Sequence, residues 1–302
     1  MYGRTICILG GSGFVGKHLV PRFAARDFDI KVLTRAGARH RELLVNPQVR
    51  LVDANVYDEN VLRREFAGCH GVVNLIGILN ERGHRGRGFK RAHVELAQIV
   101  LSACMATGVE RLLHMSALNA DVNGPSHYLR TKGEAVRNVL AAAGQLHVTV
   151  FEPSVIFGPG DSFMNRFAAL LHLMPVFPLA CPDAKFAPVY VGDVVDAFVM
   201  SYDDVASFGK RYELCGPQTY SLRQLVQLAA RASHLRRWVI GLPNWAAWLQ
   251  AAAMEWVPGK PLSLDNYHSL QVASVCRHNG LDDFDIRPTP LEAVLPSHLG
   301  NA

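Results

Sequence analysis

Thr5-Ile6-Cys7-Ile8-Leu9 runs straight into Gly10-Gly11-Ser12-Gly13-Phe14-Val15-Gly16, and a helical pattern over residues 17–26 follows. A short apolar run that does not alternate with polar residues marks a strand buried on both faces. The glycines after it have separate tasks. Gly10 permits the tight turn out of the strand, Gly13 lets backbone N–H groups approach an anion with no Cβ in the way, and Gly16 lets the helix pack closely on the strand. Phe14 and Val15 open that helix, whose first N–H groups lack intrahelical acceptors and sit at the positive end of its dipole. Strand, turn and helix N-terminus together form a cradle for a pyrophosphate. An ordinary glycine turn has the same letters but does not stand at the head of a β-α series.

Such a series follows here. Residues 30–34 (IKVLT), 49–52, 71–76 (GVVNLI), 111–116 (RLLHMS) and 147–151 (HVTVF) read as further strands. Helical patterns lie at 58–67, 94–107 and 128–143, the last two closed by Gly108 and Gly144. The expected class is α/β: a doubly wound parallel sheet of the Rossmann type with a smaller, interleaved C-terminal substrate lobe. The dinucleotide-binding domain is expected over 1–160, with 186–204 returning to it as a strand and helix. The smaller substrate or partner lobe is expected over 161–302, with a short strand at 211–215 and a helix at 221–233.

The chain has 302 residues, 49% hydrophobic and 19% charged, which is the make-up of a folded protein. No apolar run reaches the roughly 18 residues a membrane-spanning helix needs. Met1-Tyr2-Gly3-Arg4 precedes an apolar run cut short by glycines, so no secretory leader is expected. Six cysteines (Cys7, Cys69, Cys104, Cys181, Cys215, Cys276) lie far apart with no Cys-x-x-Cys pair, and they read as reduced, buried thiols of a cytoplasmic protein. The scattered histidines lack ligand spacing, so no metal is expected, although His268 and His278 are candidates for the cleft. The net charge of +5 includes basic stretches at 35–41 and 82–91 without aromatic interleaving. That argues against nucleic acid and suits a small anionic ligand or an anionic membrane surface.

The second strand ends in Thr34-Arg35, with Arg39 nearby, where a NAD site would place an acidic residue. A guanidinium there suits a 2′-phosphate, so NADP is favoured over NAD. Asn55 and Val56, past the third strand, are placed to border the adenine. Tyr128 and Lys132, at i and i+4, share one helix face, and Ser116 ends the strand before them. A free tyrosine titrates near pH 10, and a neighbouring ammonium is expected to bring it down. With a serine to hold a substrate oxygen, the three make a proton-transfer set beside a hydride carrier.

Residues 9–16, Ser116, Tyr128/Lys132, the stretch 153–160 (PSVIFGPG) and 188–194 (PVYVGDV) resemble the extended short-chain dehydrogenases/reductases, the NAD-dependent epimerase/dehydratase family. The stretches 74–77 (NLIG), 116–120 (SALNA), 128–132 (YLRTK), 161–167 (DSFMNRF) and 188–194 are similar to an atypical subgroup. It holds the nucleotide-binding accessory subunit of respiratory complex I (alpha subcomplex subunit nine) and stand-alone bacterial relatives. The resemblance implies Gly10, Gly13 and Gly16 at the pyrophosphate and Arg35 at the 2′-phosphate. It further implies Gly77 along the cofactor, Tyr128 and Lys132 at the nicotinamide ribose, and Pro153 and Val155 flanking the nicotinamide. Leu9, Glu152 and His93 depart from the pattern, where Thr, Arg and Asn are common, and weigh against nucleotide-sugar epimerase chemistry more than against cofactor binding.

Two functions follow as expectations. One is an NADP-dependent oxidoreductase or epimerase/dehydratase-type enzyme using Ser116, Tyr128 and Lys132 on a small, apolar substrate. The other is a non-catalytic NADPH-binding module serving the assembly or stability of a membrane or quinone-related complex. All four tryptophans (Trp238, Trp245, Trp248, Trp256) fall within 238–257 beside Arg236 and Arg237. Packing in the lobe, as core or as lining of an apolar pocket, is the favoured reading, and peripheral contact with a membrane or respiratory complex is the alternative.

Overall fold

The computed structural model describes residues 3–257 and 260–299. In chain order its first part comprises β1 (Thr5–Leu9), α1 (Phe14–Ala24), β2 (Asp29–Thr34), β3 (Val49–Asp53), α2 (Glu59–Phe66), β4 (Gly71–Asn74) and α3 (Arg87–Phe89). A π-helical turn (Lys90–Glu95) leads into α4 (Leu96–Thr107), followed by β5 (Arg111–Met115), α5 (His127–Ala141) and β6 (His147–Pro153). Next come β7 (Ile156–Phe157), α6 (Phe163–Leu173), β8 (Val176–Leu179), β9 (Lys185–Phe186), β10 (Val189–Tyr190), α7 (Val191–Ser201) and β11 (Lys210–Leu214). The chain ends through β12 (Tyr220–Ser221), α8 (Leu222–Ala232), β13 (Trp238–Gly241), α9 (Asn244–Met254), α10 (Leu264–Ser269) and α11 (Leu291–Leu299).

Seven parallel strands form one sheet in the order β3-β2-β1-β4-β5-β6-β11. The continuous apolar runs explain it, because both faces are covered. Leu19, Phe23, Val195 and Phe198 of α1 and α7 pack one face, while Leu62, Val100, Val136 and Val139 of α2, α4 and α5 pack the other. The order reverses between β1 and β4, so a crevice opens there outside the carboxyl ends of the strands. A separate core under α6, α8 and α11, built on Phe157, Met164, Leu171, Phe177, Leu225 and Leu291, belongs to the smaller lobe.

Several expectations change. The strand expected within the lobe at 211–215 is β11, the edge of the main sheet, paired with β6 from Lys210↔Thr149 to Leu214↔Pro153. Of the return over 186–204, α7 packs against α1, but β10 pairs with the short β7 and not with the main sheet. Gly108 closes α4 at φ 69°, whereas α5 stops at Ala141 on a right-handed Ala142, without using Gly144. The tryptophans of 238–257 lie on the outside of the lobe; its interior contact there comes from Ala247 and Ala251 of α9 against Ala180 and Tyr267.

The cysteines are not all reduced. Cys215 and Cys276 form a disulfide, their Cα atoms 6.0 Å apart. The returning segment is held along β11 by hydrogen bonds: Gly280 N–H donates to the Glu213 carbonyl at 2.7 Å, Arg277 N–H to Glu213 Oε2 at 2.7 Å, and Asn279 Nδ2 to the Cys215 carbonyl at 3.0 Å. Cys7, Cys69 and Cys104 are buried free thiols, and Cys181 is half-buried. The cysteines therefore no longer argue for a reducing compartment. No helix among the described residues is long and apolar enough to cross a membrane.

Candidate functional site

β1 delivers the chain to Gly10, which turns it at φ +78°, and Gly13 N–H closes the turn on the Gly10 carbonyl at 2.9 Å. Gly13 is the extended N-cap of α1 and offers no side-chain cap, so the first-turn N–H groups of Phe14, Val15 and Gly16 have no intrahelical acceptor. A Cβ on Gly16 would fall 2.4 Å from the Gly11 Cα, so helix and turn touch backbone to backbone. A Cβ on Gly13 would meet only the Gly10 carbonyl, at 3.2 Å, so that side of the turn is open. Free donors, a helix dipole and an open glycine edge are the chemistry a pyrophosphate requires.

Arg35 follows β2 and is exposed, as is Arg39, and among the described residues neither forms an ion pair. The acidic group near them, Asp53 at the end of β3, accepts from Gly37 N–H at 2.6 Å and so holds the turn after Arg35. Past β3, Asn55 is exposed and Val56 buried.

Lys132 lies on the inner side of α5, buried, and donates to the Met115 carbonyl at the end of β5 at 3.1 Å. Burial holds its pKa down to about 8. Gly77, after β4, passes so close that a Cβ there would lie 3.2 Å from Lys132 Nζ and 3.7 Å from His93 Nε2. Two buried histidines flank this ammonium, and their hydrogen bonds fix their tautomers. Ile78 N–H donates to His93 Nε2 at 3.3 Å, so Nδ1 carries the proton toward Thr131 Oγ1 at 2.9 Å, which donates onward to the His127 carbonyl. Asn74 Oδ1 accepts from Ile76 N–H, which turns its Nδ2 toward His114 Nδ1 at 3.3 Å and leaves the His114 proton on Nε2. Burial first and Lys132 second push His93 to about 2 and His114 to about 3. Both imidazoles are neutral.

Three buried polar atoms near the carboxyl ends of β5 and β6 have no hydrogen-bond partner among the described residues: Ser116 Oγ, His114 Nε2 and Glu152 Oε1. Burial raises Glu152 to about 7, with Arg211 opposing and Glu213 adding to the shift. Pro153 is buried, and Val155, half-buried, gives its carbonyl to Val189 N–H at 2.9 Å.

Tyr128 opens α5 and packs edge-on to Phe89 and His93, at 5.9 and 5.5 Å between ring centres. Its expected downward shift by Lys132 does not occur. Burial, and after it the Asp265 carboxylate, pushes the phenol well above its ordinary value. Asp265, at the start of α10, was not singled out from the sequence. It accepts from His127 N–H at 2.6 Å and Tyr128 N–H at 3.1 Å, so the smaller lobe caps the helix that carries Tyr128 and Lys132. Only a contact across 137 residues reveals it. The site also gains His114, for which the strand pattern gave no signal beyond an apolar run. His268 lines a cavity of about 290 Å³ between Arg130, Lys260 and Asp265, while His278 pairs with Asp283 on the exposed surface, so the two are not brought together.

The model of the NAD dependent epimerase/dehydratase family matches residues 6–215. The chain is 30% identical over 310 residues to the mitochondrial NADH dehydrogenase (ubiquinone) 1 alpha subcomplex subunit 9 of Arabidopsis thaliana, covering 96% of this chain and 76% of that one. It is 27% identical over 198 residues to the ceramide reductase of Caulobacter vibrioides, covering 65% and 60%. Among solved structures, a double mutant of the dTDP-glucose 4,6-dehydratase DesIV of Streptomyces venezuelae, with NAD bound, superposes with a TM-score of 0.76 over 97% of this chain and 95% of that one. At 18% identity that likeness is one of fold.

Proposed function

The chain belongs to the NAD dependent epimerase/dehydratase family, and from that premise we propose that it binds NADP and acts as an oxidoreductase on a small, apolar carbonyl or carbinol compound. The observation that carries this reading is the Lys132 ammonium, buried beside Gly77 with one described acceptor, together with the unpartnered Ser116 Oγ. Gly10, Gly13, Phe14, Val15 and Gly16 hold the pyrophosphate and Arg35 the 2′-phosphate. Asn55 and Val56 border the adenine, and Gly77 admits the chain of the cofactor. Lys132 takes the ribose hydroxyls, and Pro153 and Val155 flank the ring. When bound, the nicotinamide supplies the hydride-transfer chemistry. Ser116 orients a substrate oxygen. Tyr128, kept protonated by its surroundings, gives that oxygen a proton in the reductive direction. The likeness to a ceramide reductase supports an apolar substrate.

The test is Tyr128→Phe. Affinity for NADPH should stay within a few-fold by calorimetry, while turnover on a responsive carbonyl substrate should fall by about 10²–10⁴. Full turnover by the variant would refute the assignment.

A second reading is favoured by one observation: Lys132 donates to Met115, and the Tyr128 phenol is raised by burial and Asp265 with no lowering by Lys132. In that reading the protein is an NADPH-holding module that serves a respiratory or quinone-related complex, as the name of its Arabidopsis relative suggests. Slow cofactor exchange with no oxidation across a substrate panel supports the module; fast exchange with substrate-dependent loss of the nicotinamide absorbance supports the enzyme.

A further inference from the structure

Charge in the smaller lobe is distributed unevenly. Residues 162–182 and 214–254 contain no Asp, Glu or Lys, yet hold Arg166, Arg223, Arg231, Arg236 and Arg237. These two stretches carry a formal +5, equal to the net charge of the whole chain. None of the five guanidiniums is in an ion pair among the described residues. Arg166, Arg223, Arg231 and Arg236 are exposed.

The same stretches expose the largest apolar side chains of the protein. On β13, Trp238 and Ile240 point outward at 76% and 50% exposure, and Val176, the register partner of Trp238 on β8, is exposed beside them. Leu173, at the end of α6, is 79% exposed. Two residues after β13, α9 begins. It turns Ala247 and Ala251 inward and leaves Trp245, Trp248 and Leu249, spaced i, i+3, i+4, on its outer side. Trp256 follows at 81%. From Trp238 to Met254 the chain has no charged residue.

Arginine and apolar surface are interleaved. The Arg223 Nη2 lies 2.3 Å from where a Gly241 Cβ would stand, which places that guanidinium at the foot of β13. Arg237 Nε donates to the Leu171 carbonyl, beside the exposed Leu173, and Trp238 N–H donates to the Pro175 carbonyl.

We propose that this surface, formed by the end of α6, β8, β13 and α9, docks the protein on the face of an anionic lipid bilayer. Indole rings prefer the boundary between hydrocarbon and headgroup, and guanidiniums pair with lipid phosphates there. Exposed tryptophans alone would suit a protein partner. Arg223, Arg236 and Arg237, beside β13 in a stretch with no acidic residue from 214 to 254, complement a uniformly negative sheet better than the mixed-sign rim of a protein interface. The α9 helix is 11 residues long, so it lies on the membrane and does not span it. This proposal is independent of whether the cofactor turns over.

The test is flotation of the full chain, in its oxidised form, with vesicles of phosphatidylcholine containing 30% phosphatidylglycerol, and with phosphatidylcholine alone. The protein is expected to float with the anionic vesicles at 50 mM salt, to be released at 500 mM, and to bind the neutral vesicles at least tenfold more weakly. Lipids brominated near the headgroup should quench tryptophan fluorescence of the unmodified protein, a readout that needs no variant. Replacing two exposed arginines (Arg223→Gln, Arg236→Gln) should weaken partitioning about fivefold for each, and Trp238→Ser with Trp245→Ser should reduce it more than tenfold. Absence of flotation, equal binding to neutral vesicles, unquenched tryptophan, or retention of full binding by both double variants overturns the proposal. So does tighter, salt-sensitive binding to duplex DNA than to the anionic vesicles.

Discussion

Glu152 offers a sharp quantitative test of the buried site. Its side chain is 3% exposed, and its Oε1 has no hydrogen-bond partner among the described residues. Burial, only partly offset by Arg211, moves its pKa from 4.5 to about 7. A carboxyl raised on folding contributes stability that is fully present below pH 4.5 and is lost as pH rises toward 7. At about 1.4 kcal/mol per tenfold change in proton activity, that window amounts to about 3 kcal/mol. Glu152→Gln removes the titration while keeping the shape, and any cost of burying the amide is the same at every pH. The stability of the variant relative to the parent should therefore climb by about 3 kcal/mol between pH 4.5 and 7 and be level above. His93 and His114 act in the opposite sense. They are held neutral, at about 2 and about 3, so the stability they contribute is present above pH 6.5 and lost as pH falls below it. Both histidines are common to the two proteins and cancel in the difference. Urea unfolding followed by far-ultraviolet circular dichroism at pH 5, 6, 7 and 8 measures it. An unchanging difference between the two proteins across that range refutes the buried, unpaired carboxyl.

Three further outcomes follow from the same geometry. Gly16→Ala places a methyl 2.4 Å from the Gly11 Cα, where only backbone could give way, and should weaken NADPH binding about 100-fold or more by calorimetry. Lys132→Met replaces a buried ammonium with a hydrophobe. It should stabilise the cofactor-free protein by about 1–3 kcal/mol in urea and abolish the rise in melting temperature expected of the parent with NADPH. Cys215→Ser opens a covalent loop with a sequence separation of 61 and should cost about 4 kcal/mol on a chain-entropy account, an effect a dithiol reductant should reproduce on the parent alone.

What the sequence could disclose tracks how local the cause is. The turn at Gly10–Gly16 and the strands β1 to β6 are set by runs of residues next to one another, and each lies where its apolar run stands. The edge strand β11, KRYEL, alternates because one face meets solvent, so it lacks the continuous apolar signature of the inner strands. The spacing of Tyr128 and Lys132 was legible as one helix face, but the electrostatics were not. Burial depth and the direction of the Lys132 ammonium come from β5, and Asp265 arrives from the far lobe. The disulfide depends on the return of residues 273–280 along β11, which no spacing encodes. For 238–257 the composition is as apolar as a core, and only the burial of Ala247 and Ala251 shows that the tryptophans are the side left outside.

The energetic character of the crevice bears on both functional readings. At neutral pH a buried ammonium and a carboxyl whose pKa is raised to about 7 oppose folding of the bare chain. A surplus of unpaired buried polar atoms is rare in folded proteins and marks a place where something other than fold stability set the residues. Three such atoms, of His114, Ser116 and Glu152, lie at the carboxyl ends of β5 and β6, on the same edge of the sheet as the crevice that opens between β1 and β4. The hydroxyl-rich ribose of a dinucleotide can accept from the ammonium and pair with Ser116, so binding would offset a cost that folding incurs. Offsetting that cost takes a ligand in either reading and does not take turnover. In the proposed enzyme the proton would come from Tyr128, whose phenol, raised by burial and Asp265, is fit to give it up only to an oxygen that is becoming strongly basic. Reduction of a carbonyl creates such an oxygen, and the proposed reductive direction would draw on it.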